Sequence, residues 1–281
     1  MKGLVLEGGA MRGMFTAGVL DVMMENNIEF DGIAGVSAGA AFGSNFKSRQ
    51  IGRTIRYNVK YCRDWHYCSF RSLIFTGDMF GADFCYRKLP EELDLFDIDA
   101  FNENPAKFYV VCTDIETGEA VYHEMSDAIY ADCKWYKASA SLPIVAKIVE
   151  IEGKKFLDGG LVDSIPLKFM QDKGFDKNVV ILTQPRDYIK NPESALPLIK
   201  RIYKKYPKLI DAVANRHVMY NDTLEYIKNE ELKGNILVIS PETDLGIGHV
   251  EHKAENLKRV YETGRRAGEK YLEKIKEFLS V

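Results

Sequence analysis

Short runs of apolar, largely β-branched residues alternate along this chain with longer stretches of helical periodicity, and that alternation limits the folds open to it. Leu4-Val5-Leu6, Ile33-Ala34-Gly35-Val36, Phe108-Tyr109-Val110-Val111-Cys112, Val179-Val180-Ile181-Leu182 and Ile236-Leu237-Val238-Ile239 read as strands. Strands apolar on both faces need helices on both sides. The pattern therefore predicts an α/β fold, a three-layer α/β/α sandwich around a mainly parallel, doubly wound sheet. One helix is expected over residues 11–24, where Met14, Phe15, Val19, Leu20 and Met23 keep a 3–4 spacing, and a second over 38–61. A hairpin interrupts the alternation, with arms at 148–151 and 155–157 around a Glu152-Gly153 turn. Residues 251–279 read as a charged amphipathic helix that covers the sheet. No repeat, low-complexity tract or flexible linker divides the 281 residues. The expectation is a single domain over 1–281, with a core at about 1–185 and a helical part at about 190–281 packed on it.

Composition removes several function classes. Hydrophobic residues are 46% and charged residues 28%, a globular rather than a disordered balance. The net charge is -3, from 38 basic against 41 acidic residues, so no nucleic-acid partner is expected. Five cysteines with no CxxC pair argue against a disulfide framework or a structural zinc site and favour a reducing compartment. Glu7 and Arg12 interrupt what would be the apolar region of a signal peptide, and no run of eighteen apolar residues occurs. The expected setting is cytoplasmic, at most peripheral at the inner membrane surface.

Two glycine-rich turns carry chemistry. Gly35-Val36-Ser37-Ala38-Gly39 is G-x-S-x-G between a predicted strand and a predicted helix, a turn that lifts a serine to the end of a sheet. The same turn can serve close strand–helix packing alone. Glu7-Gly8-Gly9-Ala10-Met11-Arg12-Gly13 also follows a strand, and its backbone N–H groups suit a phosphate or the oxyanion of acyl transfer. As a phosphate loop it lacks both G-x-G-x-x-G and G-K-[ST]. At the same edge of adjacent strands the two turns would share one crevice.

A serine nucleophile needs a base. His217, His249 or His252 would satisfy the order Ser…Asp…His, yet Ser37 follows only the second strand, and His249 and His252 sit at the entry of a charged helix. His66 and His123 have no partner motif. Asp158, at a strand end beside Gly159 and Gly160, is the better candidate, although Asp-Gly is also a common turn. To take a proton from a hydroxyl, its carboxylate must be raised by burial or act through tight geometry.

The three motifs EGGAMRG, GVSAG and DGG, in this order, resemble the patatin-like phospholipase family. Ala138-Ser139-Ala140-Ser141-Leu142-Pro143 is similar to a family segment upstream of the aspartate. Phe80-Gly81-Ala82-Asp83-Phe84, Thr113-Asp114-Ile115-Glu116-Thr117-Gly118 and Tyr261-Glu262-Thr263-Gly264 resemble its bacterial branch. The resemblance implies a Ser–Asp dyad without histidine that hydrolyses acyl esters of lipids, phospholipase- or lysophospholipase-like, with no metal or cofactor. Carried over, Ser37 is the nucleophile and Asp158 the general base. Gly8, Gly9, Ala10 and Ala38 supply oxyanion donors, and Arg12 and Gly13 support that loop. Gly35, Gly39, Gly159 and Gly160 are motif glycines. Ala10 stands where the family usually has a third glycine.

The aromatic stretch 65–86 would line an acyl pocket or form a lid, against the plainer reading of packing on the sheet. Lys200, Arg201, Lys204, Lys205 and Lys208 form a basic stripe, read as a solvated helix face or as a transient contact with anionic headgroups of a membrane surface. The leading reading is a serine acyl hydrolase with a lipid or acyl-ester substrate. The alternative is a non-catalytic acyl- or lipid-binding protein on the same fold, and a phosphate-binding module on residues 8–13 is a distant third.

Overall fold

In the computed structural model, which describes residues 1–125 and 133–280, the eight strands join in one sheet. The first half runs β1 (Lys2–Leu6), a 3-10 turn (Ala10–Gly13), α1 (Met14–Glu25), β2 (Gly32–Val36), α2 (Ala38–Lys47), α3 (Arg53–Tyr61) and α4 (Phe70–Thr76). A π-helical segment (Phe84–Leu93) and α5 (Ile98–Glu103) lead to β3 (Lys107–Asp114), β4 (Glu119–Glu124) and α6 (Cys133–Ser139). Next come β5 (Val149–Ile151), β6 (Lys154–Asp158), a 3-10 turn (Gly159–Leu161), α7 (Leu167–Asp172) and β7 (Lys177–Ile181). The chain finishes with α8 (Leu196–Ile202), α9 (Pro207–Leu232), β8 (Ile236–Ile239) and α10 (Ala254–Ser280).

The strand order is β5-β6-β3-β2-β1-β7-β8, with β4 on β3. Strands β3, β2, β1, β7 and β8 run parallel to one another, while β4 and β6 pair antiparallel with β3, and β5 antiparallel with β6. Side chains alternate across this sheet as the pleat requires. Leu4, Leu6, Ile33, Val110 and Ile181 enter one apolar layer with Phe15 and Leu20 of α1 and Leu257 of α10. Val5, Ala34, Tyr109 and Val180 enter the other, with Met170 of α7 and Tyr220 and Ile227 of α9. The result is the expected three-layer sandwich.

One edge of β3 positions the site. β2 pairs with β3 as far as Val36 opposite Val111, and β6 pairs from Asp158 opposite Cys112 to Phe156 opposite Asp114. β4 pairs with Tyr109 through Asp114 and so occupies the other edge. β2 and β6 therefore meet head to head along one edge of β3, and the residues at their facing ends are Ser37 and Asp158.

Two expectations need correction. The helix expected over 38–61 is two helices, because Arg49 (φ 55°) and Gly52 (φ 70°) take left-handed conformations that turn the chain between α2 and α3. The helix expected from residue 11 opens as a tight 3-10 turn and becomes α-helical only at Met14. The half-buried strand β4 is absent from the expected strands. Only its half-exposed residues Ala120, Val121 and Tyr122 hint at it, since the run lacks a buried apolar face. Helix α10 lies against α1 at a close crossing. A Cβ on Gly18 would stand 2.1 Å from the Tyr261 carbonyl oxygen, and one on Gly264 would stand 2.0 Å from that of Phe15. Tyr261 also donates its hydroxyl to Asp21 Oδ2 at 2.6 Å, so the Tyr261–Gly264 motif is a docking seam.

Candidate active site

Ser37 leaves β2 and caps α2 with φ 54° and ψ -120°, a conformation that L-residues avoid and that costs about 1–3 kcal/mol. The turn is held by close packing on both sides. A Cβ at Gly35 would stand 2.6 Å from Ala40 N, and one at Gly39 would stand 2.5 Å from Leu6 O, so both positions need glycine. Ser139, at the end of α6, locks the turn. Its Oγ accepts the Ser37 N–H at 2.8 Å and donates to Val111 O at 2.6 Å. The first bond along α2 runs from Ala41 N–H to Ser37 O, which leaves the N–H groups of Ala38, Gly39 and Ala40 without intrahelical partners.

Asp158 is 3% exposed, and the Ser37 side chain lies close enough to act on its carboxyl. Gly160 N–H donates to Asp158 Oδ1 at 2.7 Å. Burial pushes this carboxyl up to about 6, while the Arg216 cation, Gly160 N–H and the Ser37 hydroxyl pull it down. The Asp158 backbone is tied as firmly. Its N–H donates to Ser141 O at 2.8 Å, and Thr113 Oγ1 donates to its carbonyl at 2.7 Å.

The Glu7–Gly13 loop runs alongside. Gly8 N–H points to Ser164 O at 3.4 Å, while Gly9 and Ala10 precede the first bond of their turn, Arg12 N–H to Gly9 O at 3.0 Å. The Gly9 and Ala10 amides thus lack intrahelical partners. Ala10 adopts φ 47°, the left-handed conformation a third glycine would take without strain. Arg12 Nε is buried with no hydrogen-bond partner among the described residues. In the sequence Glu7 is marked only as part of the loop, and in the structure it is the loop's anchor. It is 2% exposed, and its carboxylate accepts Thr183 N–H from the end of β7 and the Tyr220 hydroxyl of α9, the latter at 2.6 Å. Burial raises the Glu7 carboxyl against the lowering effect of those two donors.

A cavity of about 150 Å³ opens at Ser37. Ala10 and Ala38 line it on the polar side, and Met79, Phe80, Leu142 and Val145 line its apolar wall. The aromatic stretch therefore divides. Tyr67, Met79 and Phe84 are buried, whereas Phe70, Ile74 and Phe75 of α4 are 76%, 78% and 72% exposed. Of the histidines, His249 lines the cavity, while His252 Nδ1 bonds Cys62 O and His66 bonds Asp64, so neither of these reaches Ser37. His123 stacks on Trp135. The basic stripe spans two helices: Lys200 and Arg201 end α8, and Lys208 lies at the start of α9.

A serine on a strained strand-to-helix turn, next to a buried aspartate and a glycine-rich loop, places the chain in the class of three-layer α/β proteins with an elbow-borne serine. The chain belongs to the patatin-like phospholipase family, whose model matches residues 4–170, more than half its length. Residues 206–280 match a domain of unknown function, DUF6363. The chain is 27% identical over 286 residues to the uncharacterized protein YjjU of Escherichia coli (strain K12), covering 99% of this chain and 78% of that protein. It is 26% identical over 295 residues to the lysophospholipase nte1 of Emericella nidulans, and 24% identical over 185 residues to the lysophospholipase NTE1 of Chaetomium globosum. Those matches cover 98% and 62% of this chain but only 18% and 11% of the two fungal proteins. Among solved structures, VipD from Legionella pneumophila aligns with 96% of this chain and 67% of its own at 12% identity and a TM-score of 0.44.

Proposed function

We propose that this protein is a serine acyl hydrolase that cleaves fatty-acyl esters of lipids through Ser37 and Asp158. The observation that carries the reading is Ser37 on its strained turn at the mouth of a cavity with an apolar wall, its side chain acting on a buried Asp158 carboxyl raised to about 6. A carboxylate so raised is a stronger base than an exposed one and is still ionised at neutral pH. In the first half-reaction Ser37 Oγ attacks the ester carbonyl while Asp158 takes its proton. The amides of Gly9, Ala10 and Ala38 face the developing oxyanion. Gly8 acts through the shape of the loop, since its amide points to Ser164 O. Asp158 then protonates the departing alkoxide, leaving acyl-Ser37. In the second half water gives its proton to Asp158 and attacks the acyl carbon, and the proton returns to Ser37 as the fatty acid leaves.

Arg12 and Gly13 shape the oxyanion loop in this scheme, and Gly159 and Gly160 shape the Asp158 turn. We read residues 1–281 as one working unit, because Glu7 before the oxyanion loop is held by Tyr220 of α9. The approach to lipid falls to α4, whose exposed Phe70, Ile74 and Phe75 precede the cavity residues Met79 and Phe80. Among the described residues no helix is long and apolar enough to cross a membrane.

A fluorophosphonate probe should label Ser37, and a medium-chain p-nitrophenyl ester should be turned over by the native protein but not by Ser37→Ala or Asp158→Ala. Full activity in Ser37→Ala would overturn the reading. Binding of the ester without depletion would point instead to a non-catalytic acyl-binding protein.

A further inference from the structure

Three cations and a histidine, Arg12, Lys190, Arg216 and His249, act on one another near the Glu7–Gly13 loop, and none is in a salt bridge among the described residues. Arg12 lies on the loop itself. Arg216 of α9 donates its Nε–H to the Gly160 carbonyl at 2.7 Å, and its Nη2 comes within 3.5 Å of where a Gly160 Cβ would stand, beside the Asp158 carboxylate. Lys190 is pinned to α9 by two backbone bonds with the Asn221 side chain, at 2.9 and 3.1 Å. Its Nζ lies 4.6 Å from the centre of the Tyr220 ring, the same ring whose hydroxyl holds Glu7. His249 lines the cavity with Ser37 and Ala10.

None of the four forms a salt bridge among the described residues, whereas Arg53, Arg56, Arg87, Arg186 and Arg265 all do. The nearby acids are already engaged. Glu7 is bonded to Tyr220 and Thr183, Asp158 to Gly160 with Arg216 as its strongest charge partner, and Glu193 Oε1 to Ala195 N–H.

We propose that Lys190, Arg216 and His249, with Arg12, form a subsite for a net-negative phosphate headgroup of the lipid substrate. The guanidinium N–H groups of Arg216 that Gly160 does not use offer a fork for phosphate oxygens, and Lys190 adds a point charge. A neutral glyceride offers these groups nothing, and a zwitterionic headgroup offers them an anion together with a repelled cation. The electrostatics agree. Burial brings the Lys190 ammonium down to about 8; Arg216 and Arg12 press it further in the same direction, and Glu7 and Glu193 oppose them. His249 is lowered by partial enclosure and by the same neighbouring cations. A bound phosphate would relieve this crowding. Arg216 and His249 both lie in the segment that matches the domain of unknown function, residues 206–280, and that segment would then read the charge of the substrate.

This inference rests on the acyl-hydrolase reading, and its test separates the two. The kcat/KM values of the purified protein are compared on monomeric lysophosphatidate, lysophosphatidylcholine and monoacylglycerol of one acyl chain, with the p-nitrophenyl ester as reference. Lysophosphatidate should exceed the other two by about tenfold or more, the worth of one charge-assisted hydrogen bond. Lys190→Gln and His249→Gln should each compress that ratio about tenfold, and Lys190→Glu should invert it. Circular dichroism of each variant certifies its fold. Inorganic phosphate is run as a competitor. Inhibition by millimolar phosphate without any preference for the anionic lipid would assign the cluster to the free ion and overturn the headgroup subsite. Equal rates on the three lipids, or ratios unmoved in the variants, would overturn it while ester turnover leaves the hydrolase reading standing. Absence of ester turnover would remove the hydrolase reading first.

Discussion

Ser139 Oγ accepts the backbone N–H of Ser37 at 2.8 Å, across a sequence separation of 102 residues. The same hydroxyl donates to the Val111 carbonyl at the point where β2 stops pairing with β3. Ser139 thus closes the gap left where one strand ends, and it holds the strained turn from outside the turn itself.

Removing that hydroxyl in Ser139→Ala leaves a buried N–H and a buried carbonyl unpaired and frees Ser37 to relax. The expected result is a fall in kcat of about 10–100-fold with a KM within about twofold of native, since geometry rather than binding is lost. Slowed fluorophosphonate labelling in a protein of native circular dichroism would confirm it, and labelling at the native rate would exclude it.

Asp158 must be ionised to act as base, so kcat/KM should rise with pH through about 6 and level off above it. The stability effect runs the other way. The folded carboxyl is raised from 3.8 to about 6, so between those values the native state holds a proton that the unfolded state has released, and stability falls as pH rises. Asp158→Asn should therefore be inactive yet more stable than native protein at pH 8, by up to about 3 kcal/mol, and near parity with it at pH 3.5. Urea denaturation at the two pH values measures this.

Ala10 holds a left-handed backbone that glycine accepts freely. Ala10→Gly should keep activity and gain about 0.5–1 kcal/mol, the relief of strain less the entropy a glycine adds to the unfolded chain. Ala10→Val, β-branched at positive φ, should lose both stability and ester turnover. The midpoint of urea unfolding at constant m-value distinguishes the two variants.

Gly264→Ala places a methyl 2.0 Å from the Phe15 carbonyl oxygen, so α10 must shift away from α1. A loss of about 1–3 kcal/mol is expected, and faster hydrogen exchange in α1 and α10 should locate it there.

The layers and most of the strands are legible in the sequence because each buried strand is a short apolar run, Leu4–Leu6 and Val179–Ile181 being the clearest. Strand β4 is not, since its pairing with β3 decides its state and its side chains are only half-buried. The break between α2 and α3 is hidden as well: Arg49 is an ordinary helix former, yet it takes the left-handed conformation that closes the end of α2, where Gln50 N–H returns to Asn45 O at 2.9 Å. Within the site, Ser37 and Asp158 stand out by their glycines, because each lies where backbones approach too closely for any other residue. The supporting groups carry no such mark. Ser139 is one serine among many, and Glu7 shows its role only once Tyr220, 213 residues away, is seen to reach it. An isolated carboxylate between an apolar strand and two glycines is the available signal, since a charge there must be buried and needs a partner.

That long reach from Tyr220 to Glu7 also sets a timetable. The first strand and its glycine loop are synthesised first, but the phenol that fixes them emerges only when α9 leaves the ribosome, roughly 10–40 s later at ordinary elongation rates. Until then only the Thr183 N–H is there to hold the Glu7 carboxylate. A nascent chain, or one cut short ahead of α9, would carry Ser37 and Asp158 without the Tyr220 contact, so the proposed hydrolytic competence would be among the last properties the folding protein acquires.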